Sequence, residues 1–131
     1  MEMINVNENN IEELDLPGRK LRWVITQAKD NSEFCSMCVI KIQPGAKVTP
    51  AHLHPNGEEL VYIMSGSGRA LVGTEVEDIC EGSAVLFPKG VPHMLKNTGS
   101  VVMKVACFYA PAADPSGYEY HPEIDIDDFD K

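Results

Sequence analysis

The chain has 131 residues, which at roughly 100–200 residues per domain points to one compact domain and argues against separate cofactor and substrate lobes. Twenty acidic residues against 11 Lys and Arg give a formal net charge of −9, the wrong sign for nucleic acid or anionic membranes, both of which select basic patches. A hydrophobic content of 44% is that of a folded globular protein.

The acid is concentrated at the ends. Residues 1–15 carry Glu2, Glu8, Glu12, Glu13 and Asp15 with no base, and residues 114–131 carry seven acids against Lys131. The stretch between them holds 8 acids and 10 bases, so the central region is close to neutral. Three segments follow: an acidic arm over 1–20, a folded core over 21–110 and an acidic tail over 111–131. The first residues, MEMINVNENN, have neither a basic nor an apolar signal region. No run approaches the 18 or so apolar residues of a membrane helix. These features point to the cytoplasm, where Cys35, Cys38, Cys80 and Cys107 stay reduced.

In chain order, residues 10–14 hint at one helical turn. Short β-type runs then follow over 21–27, 34–43, 49–54, 58–64, 69–72, 76–80, 84–88, 93–96 and 101–110. Turn signals separate them: Pro44-Gly45, Asn56-Gly57, Gly66-Ser67-Gly68, Glu81-Gly82, Lys89-Gly90 and Gly99-Ser100. About nine strands with turns every 8–12 residues predict an all-β sandwich or barrel. Cys35-x-x-Cys38 resembles a redox or zinc pair, but it sits in an apolar strand-like run. Residues three apart on a strand face opposite ways, and no second CxxC completes a zinc site. Buried structural thiols are therefore expected.

Trp23, Met64, Met94 and Met103 read as core, Arg22 as surface, and Tyr62 as packing between sheets. Arg69 and Lys104 sit in otherwise apolar strands, as either solvated cations or pocket groups for a carboxylate. The tail reads as a solvated extension, with Tyr118, Tyr120 and Phe129 as the residues that would pack it over a barrel mouth or a neighbouring subunit. His121, within that tail, reads as solvated.

Three of the four histidines lie in two glycine-bounded segments. His52 and His54 are two apart, so on an extended strand both imidazoles face one way, about 7 Å apart along the chain. Pro55-Asn56-Gly57 then turns the chain and brings an acid, Glu58 or Glu59, back towards them. Glu59 shares a face with Val61 and Ile63, which suits an interior carboxylate, although Leu60 and Tyr62 leave the other face apolar too. His93, after the Pro88-Lys89-Gly90 turn, is a candidate third imidazole. Neutral imidazoles with one carboxylate make a mixed N/O set for Fe, Mn, Co, Ni, Cu or Zn.

The two segments resemble the paired motifs of the cupin superfamily. Six residues separate Gly45 from His52, one more than the usual family spacing. The remainder, His52-x-His54, four residues, Glu59, six residues and Gly66, matches without adjustment and selects Glu59 over Glu58. Gly82, Pro88, Gly90, His93 and Asn97 match the second motif throughout, and 15 residues separate the two. The resemblance covers about residues 21–110. It implies a jelly-roll (double-stranded β-helix) barrel with extended terminal segments and one divalent transition-metal ion on His52, His54, Glu59 and His93. Asn97 is expected to anchor a turn. Catalytic residues other than ligands are not identified. The expected role is that of an enzyme on a small oxygenated molecule such as a sugar acid or keto acid. Iron would imply an oxygenase, and a redox-inert metal an isomerase or lyase. The alternative is a non-catalytic small-molecule-binding or sensing module. Small cupins and unpaired sheet edges together imply a homodimer.

Overall fold

The computed structural model describes residues 2–113 and 117–129. Asp114, Asp130 and Lys131, counted above in the acidic tail, lie outside them. The strands are β1 (Leu14–Leu16), β2 (Arg19–Ile25), β3 (Ser36–Ile42), β4 (Ala51–Leu53), β5 (Glu58–Ser65), β6 (Ser67–Val72), β7 (Glu75–Cys80), β8 (Ala84–Phe87), β9 (His93–Asn97), β10 (Met103–Ala110) and β11 (Glu119–His121). They form a six-stranded sheet in the order β1-β2-β3-β10-β5-β8 and a five-stranded sheet in the order β11-β4-β9-β6-β7. All pairings are antiparallel. This is the expected all-β jelly roll, with two strands, β1 and β11, beyond those read from the sequence.

The period-two alternation of the strands builds the interior. Val61 and Ile63 of β5, Val105 and Cys107 of β10, and Cys38, Ile40 and Ile42 of β3 all enter one buried cluster with Leu21, Leu95 and Met103. The alternate residues of β5, Leu60, Tyr62 and Met64, face outwards and are 41–46% exposed. The expectation of Tyr62 between the sheets and Met64 in the core is therefore wrong: β5 is apolar on both faces, and its phase is set by Val61 and Ile63. Met94 and Met103 are buried. Trp23 packs against the core cluster while remaining partly exposed. Of the cysteines, Cys38 and Cys107 are buried; Cys35, just ahead of β3, and Cys80 on the edge strand β7 are exposed, so burial holds for half of them.

Neither isolated cation enters the interior. Lys104 faces outwards and pairs with Glu8, and Arg69 pairs with Asp78 at 3.0 Å on the neighbouring strand. Glu13 faces both Arg22 and Lys41, so the acidic arm lies along the basic outer side of the six-stranded sheet. One short helix, α1 (Gln27–Asp30), links β2 to β3. Thr26 caps it by accepting from the Lys29 amide at 3.1 Å, and Asn31 ends it in the left-handed region. At four residues it is too short to leave a periodic signal.

The tail is docked rather than solvated. β11 pairs with β4, Ile126 is 1% exposed against Ala51, Leu71 and Met94, and Lys47 reaches Asp125 and Asp127 at 2.7 and 2.8 Å. Lys96 adds a 2.6 Å pair with Asp127. The acidic composition that suggested a solvated extension instead serves two lysines on the barrel wall.

Candidate metal centre

Both motif turns cross from one sheet to the other. The first leaves β4 of the five-stranded sheet and enters β5 of the six-stranded sheet; the second leaves β8 and enters β9 in the reverse sense. His52 on β4 and His93 on β9 are direct register partners. His54 follows β4, and Glu59 projects from β5 beside Phe87 of β8 and Tyr109 of β10. The two sheets thus bring the four expected residues to one point. One donor atom from each of His52, His54, Glu59 and His93 lies within 4.8 Å of the others, and all four residues are buried. Glu58, the competing acid, is exposed on the outer side of β5.

Backbone carbonyls fix the chemistry of two rings. A carbonyl can only accept, so the Pro50 oxygen, 3.2 Å from His52 Nδ1, holds the proton on that nitrogen. The Val91 oxygen does the same for His93 Nδ1 at 3.2 Å. Both imidazoles consequently keep an Nε2 lone pair for the site, the arrangement that outer partners impose on metal-bound histidines. His93 Nε2 lies 3.2 Å from Glu59 Oε1 yet is buried without a well-angled hydrogen bond. His54 Nε2 lies 3.1 Å from the same oxygen, and its Nδ1 is buried without a partner. Buried nitrogens without partners are costly. A cation accepting the His93 Nε2 lone pair would relieve that cost at His93, so the donor set fits a metal ion.

The electrostatics point the same way. Burial pushes the His52 pKa down from its ordinary 6.5 to about 3, and a nearby His93 adds to this. The ring is therefore neutral, as a ligand must be. Burial alone would raise the Glu59 pKa, but the adjacent His54 and His93 rings outweigh it and hold the carboxyl below its ordinary range. Cys107, whose pKa is raised by its hydrogen bond to Cys38 and by burial, stays a thiol beside the site.

Aromatic side chains orient the cluster. Phe87 stacks on His93 with centroids 4.0 Å apart and planes 12° apart. Tyr118 stacks on His52 at 4.7 Å and 18°, and meets His54 edge-on at 4.6 Å. Its hydroxyl is 3.4 Å from that of Tyr109, which lies 3.6 Å from Cys38 Sγ. Burial and the Glu59 charge raise the Tyr109 pKa, and burial raises that of Tyr118, so both phenols remain protonated. Sequence reasoning did not assign Tyr109, Phe87 or Arg19 to the site. The alternation of β10 carried a usable signal, since Tyr109 is in phase with Val105 and Cys107. A cavity of about 30 Å³ is lined by His52, Glu59, His93, Cys107, Tyr109 and Arg19 among others.

Asn97 is fully buried and anchors a turn as expected, donating to the Ile42 and Val101 carbonyls at 2.8 and 2.7 Å and accepting from the Gly99 amide at 2.9 Å. His121 lies between Glu119 and Glu123 at 2.7 and 3.0 Å and is not part of the cluster. No helix among the described residues is long and apolar enough to cross a membrane.

Residues 38–109 match the cupin domain family, more than half of the chain. The chain is a cupin. This cupin is 28% identical over 96 residues to Protein SchB of Streptomyces halstedii, covering 73% of this chain and 69% of that one. Other relatives are matched over smaller shares of their own length, 56% in one and 33% in another. Among solved structures, the polyketide cyclase RemF of Streptomyces resistomycificus superposes with a TM-score of 0.73 at 19% identity, over 91% of the cupin and 85% of that chain. The Streptomyces nucleoside dehydratase Pac13 superposes with a TM-score of 0.76 at 12% identity, over 92% of each chain. At those identities the structural likeness concerns the fold.

Proposed function

We propose that His52, His54, Glu59 and His93 hold one divalent transition-metal ion (Fe, Mn, Ni, Co, Cu or Zn) and that the cupin is an enzyme acting on a small oxygenated molecule. The observation that carries this reading is the convergence of the four buried donors, with His52 and His93 Nδ1 tied to backbone carbonyls. A bound ion of this kind supplies Lewis acidity towards a substrate oxygen and fixes its orientation. The rest falls to the chain. Phe87 and Tyr118 hold the His93 and His52 rings by stacking. The Tyr109 and Tyr118 hydroxyls offer hydrogen-bond donors beside the centre. The buried apolar walls exclude water from it. The class of reaction follows the ion: dioxygen chemistry with iron, isomerisation or lyase chemistry with a redox-inert metal. That the solved neighbours include a cyclase and a dehydratase supports the second class.

We further propose a cytoplasmic homodimer. Leu60, Tyr62, Leu86 and Phe108 expose 42–50% of their surface side by side on the outer face of the six-stranded sheet, a patch that a second copy would cover. The four free thiols suit a reducing compartment.

The test is turnover. Protein loaded separately with each metal is offered hydroxy acids, keto acids and sugar acids, with oxygen uptake and product NMR as readouts. Metal-dependent consumption that disappears in His93→Ala is expected. A ligand that binds the loaded protein and persists unchanged, whichever metal is present, would instead make it a non-catalytic binding module.

A further inference from the structure

Beside the metal cavity lies a larger pocket of about 350 Å³, within the range of small-molecule sites. The barrel proper supplies only part of it. The β1–β2 hairpin contributes Leu16, Leu21 and Trp23, and the tail contributes Tyr118 and Tyr120. Both terminal segments therefore build this pocket. Its wall is continuous with that of the metal cavity, because Arg19 and Leu21 line both, while Tyr118 stacks on His52.

Arg19 sets the charge of the pocket. Of the three arginines, Arg22 and Arg69 face carboxylates. Arg19 has no carboxylate partner among the described residues and spends one nitrogen on the Pro17 carbonyl at 3.0 Å. In a protein of net charge −9, that is a cation left for an incoming anion. A guanidinium offers further donors in a fork that fits a carboxylate. The indole N–H of Trp23, in the same wall, is buried without an acceptor. The remaining lining is aromatic and aliphatic, with Thr49 and the tyrosine hydroxyls as its other polar side-chain groups. A polyhydroxylated sugar acid would leave several hydroxyls there without partners, at a cost. A flat aromatic body would stack on tyrosine and tryptophan rings.

We propose that this pocket binds an aromatic carboxylate, its rings between Trp23 and the Tyr118–Tyr120 wall and its carboxylate on Arg19, so that the adjoining ring atoms face the metal cavity. As a substrate class this rests on the metal-centre reading; as a binding site it does not.

Calorimetric titration of the full chain, metal-free and metal-loaded, with 2-naphthoate, the uncharged 2-naphthamide and galacturonate tests it. The naphthoate binds both forms at least tenfold more tightly than the other two. It also changes the emission of Trp23, the single tryptophan. Arg19→Gln weakens naphthoate at least tenfold and leaves naphthamide unchanged. Arg19→Lys restores part of the loss, and Leu16→Trp, which fills the pocket, weakens both aromatic ligands. Naphthoate binding no tighter than galacturonate, or binding indifferent to both Arg19→Gln and Leu16→Trp, overturns the proposal. Metal content measured on the same samples separates the two readings. Normal metal uptake without naphthoate binding refutes the pocket alone, and naphthoate binding without metal uptake refutes the metal centre alone.

Discussion

Replacing Ile126 by alanine removes the apolar plug that fastens the tail to the outer face of the five-stranded sheet. The side chain is 1% exposed and packs on Ala51, Leu71 and Met94. The three carbons lost are worth about 0.8 kcal/mol each in transfer alone, and the residual cavity brings the loss to about 2–4 kcal/mol. The ion pairs of Asp125 and Asp127 with Lys47 and Lys96 do not compensate. Those carboxylates are about 40% exposed, and such pairs contribute about 1 kcal/mol or less each. The barrel core lies on the other side of the sheet and keeps its contacts, so the loss is local. Opening of the tail should become about 30- to 1,000-fold more frequent, at a factor of ten per 1.4 kcal/mol. Hydrogen exchange reads this directly. Amides of β11 and of residues 124–128 accelerate by that factor, and those of β5 and β10 do not. Equal acceleration of β11 and β5 would show that the tail unfolds only with the barrel, and no acceleration would show that Ile126 is not its anchor.

Asn97→Ala leaves the Ile42 and Val101 carbonyls and the Gly99 amide short of a partner, a loss of about 3 kcal/mol that urea denaturation would read as a lower midpoint at unchanged slope. Gly68→Ala places a Cβ 2.0 Å from the Lys96 carbonyl oxygen and forces β6 from β9, costing about 3 kcal/mol by the same measurement; an unchanged midpoint would show that the strands shift freely there. Glu123 and Glu119 raise the His121 pKa above 6.5. The attraction they provide is complete below pH 6.5 and is lost as pH rises through the raised value. A histidine NMR titration should show its midpoint falling towards 6.5 in Glu123→Gln, and a midpoint indifferent to that change would discount the pair.

The barrel and its four clustered residues were legible in the sequence because strand alternation, turn residues and motif spacing agree there. Glu59 shows this best: its phase with Val61 and Ile63 and its distance from His54 and Gly66 select the same residue. The opposite face of β5 is apolar as well, so Tyr62 and Met64 read as interior although they are out of phase with Glu59. Contacts between residues far apart in the chain left no local trace. Ile126 against Leu71, Asp127 against Lys96 and Tyr118 over His52 depend on where the tail returns, which composition does not encode. Its acidity suggested solvent until Lys47 and Lys96 supplied the partners.

Elemental analysis of untagged protein purified anaerobically without chelators, wild type beside Glu59→Ala and His93→Ala, bears most directly on the metal centre. About one transition-metal ion per chain in the wild type is expected, with little in either variant and the β-rich circular dichroism retained. Equal metal content in all three proteins, or a wild type that takes up none of the six metals when they are supplied, would contradict it.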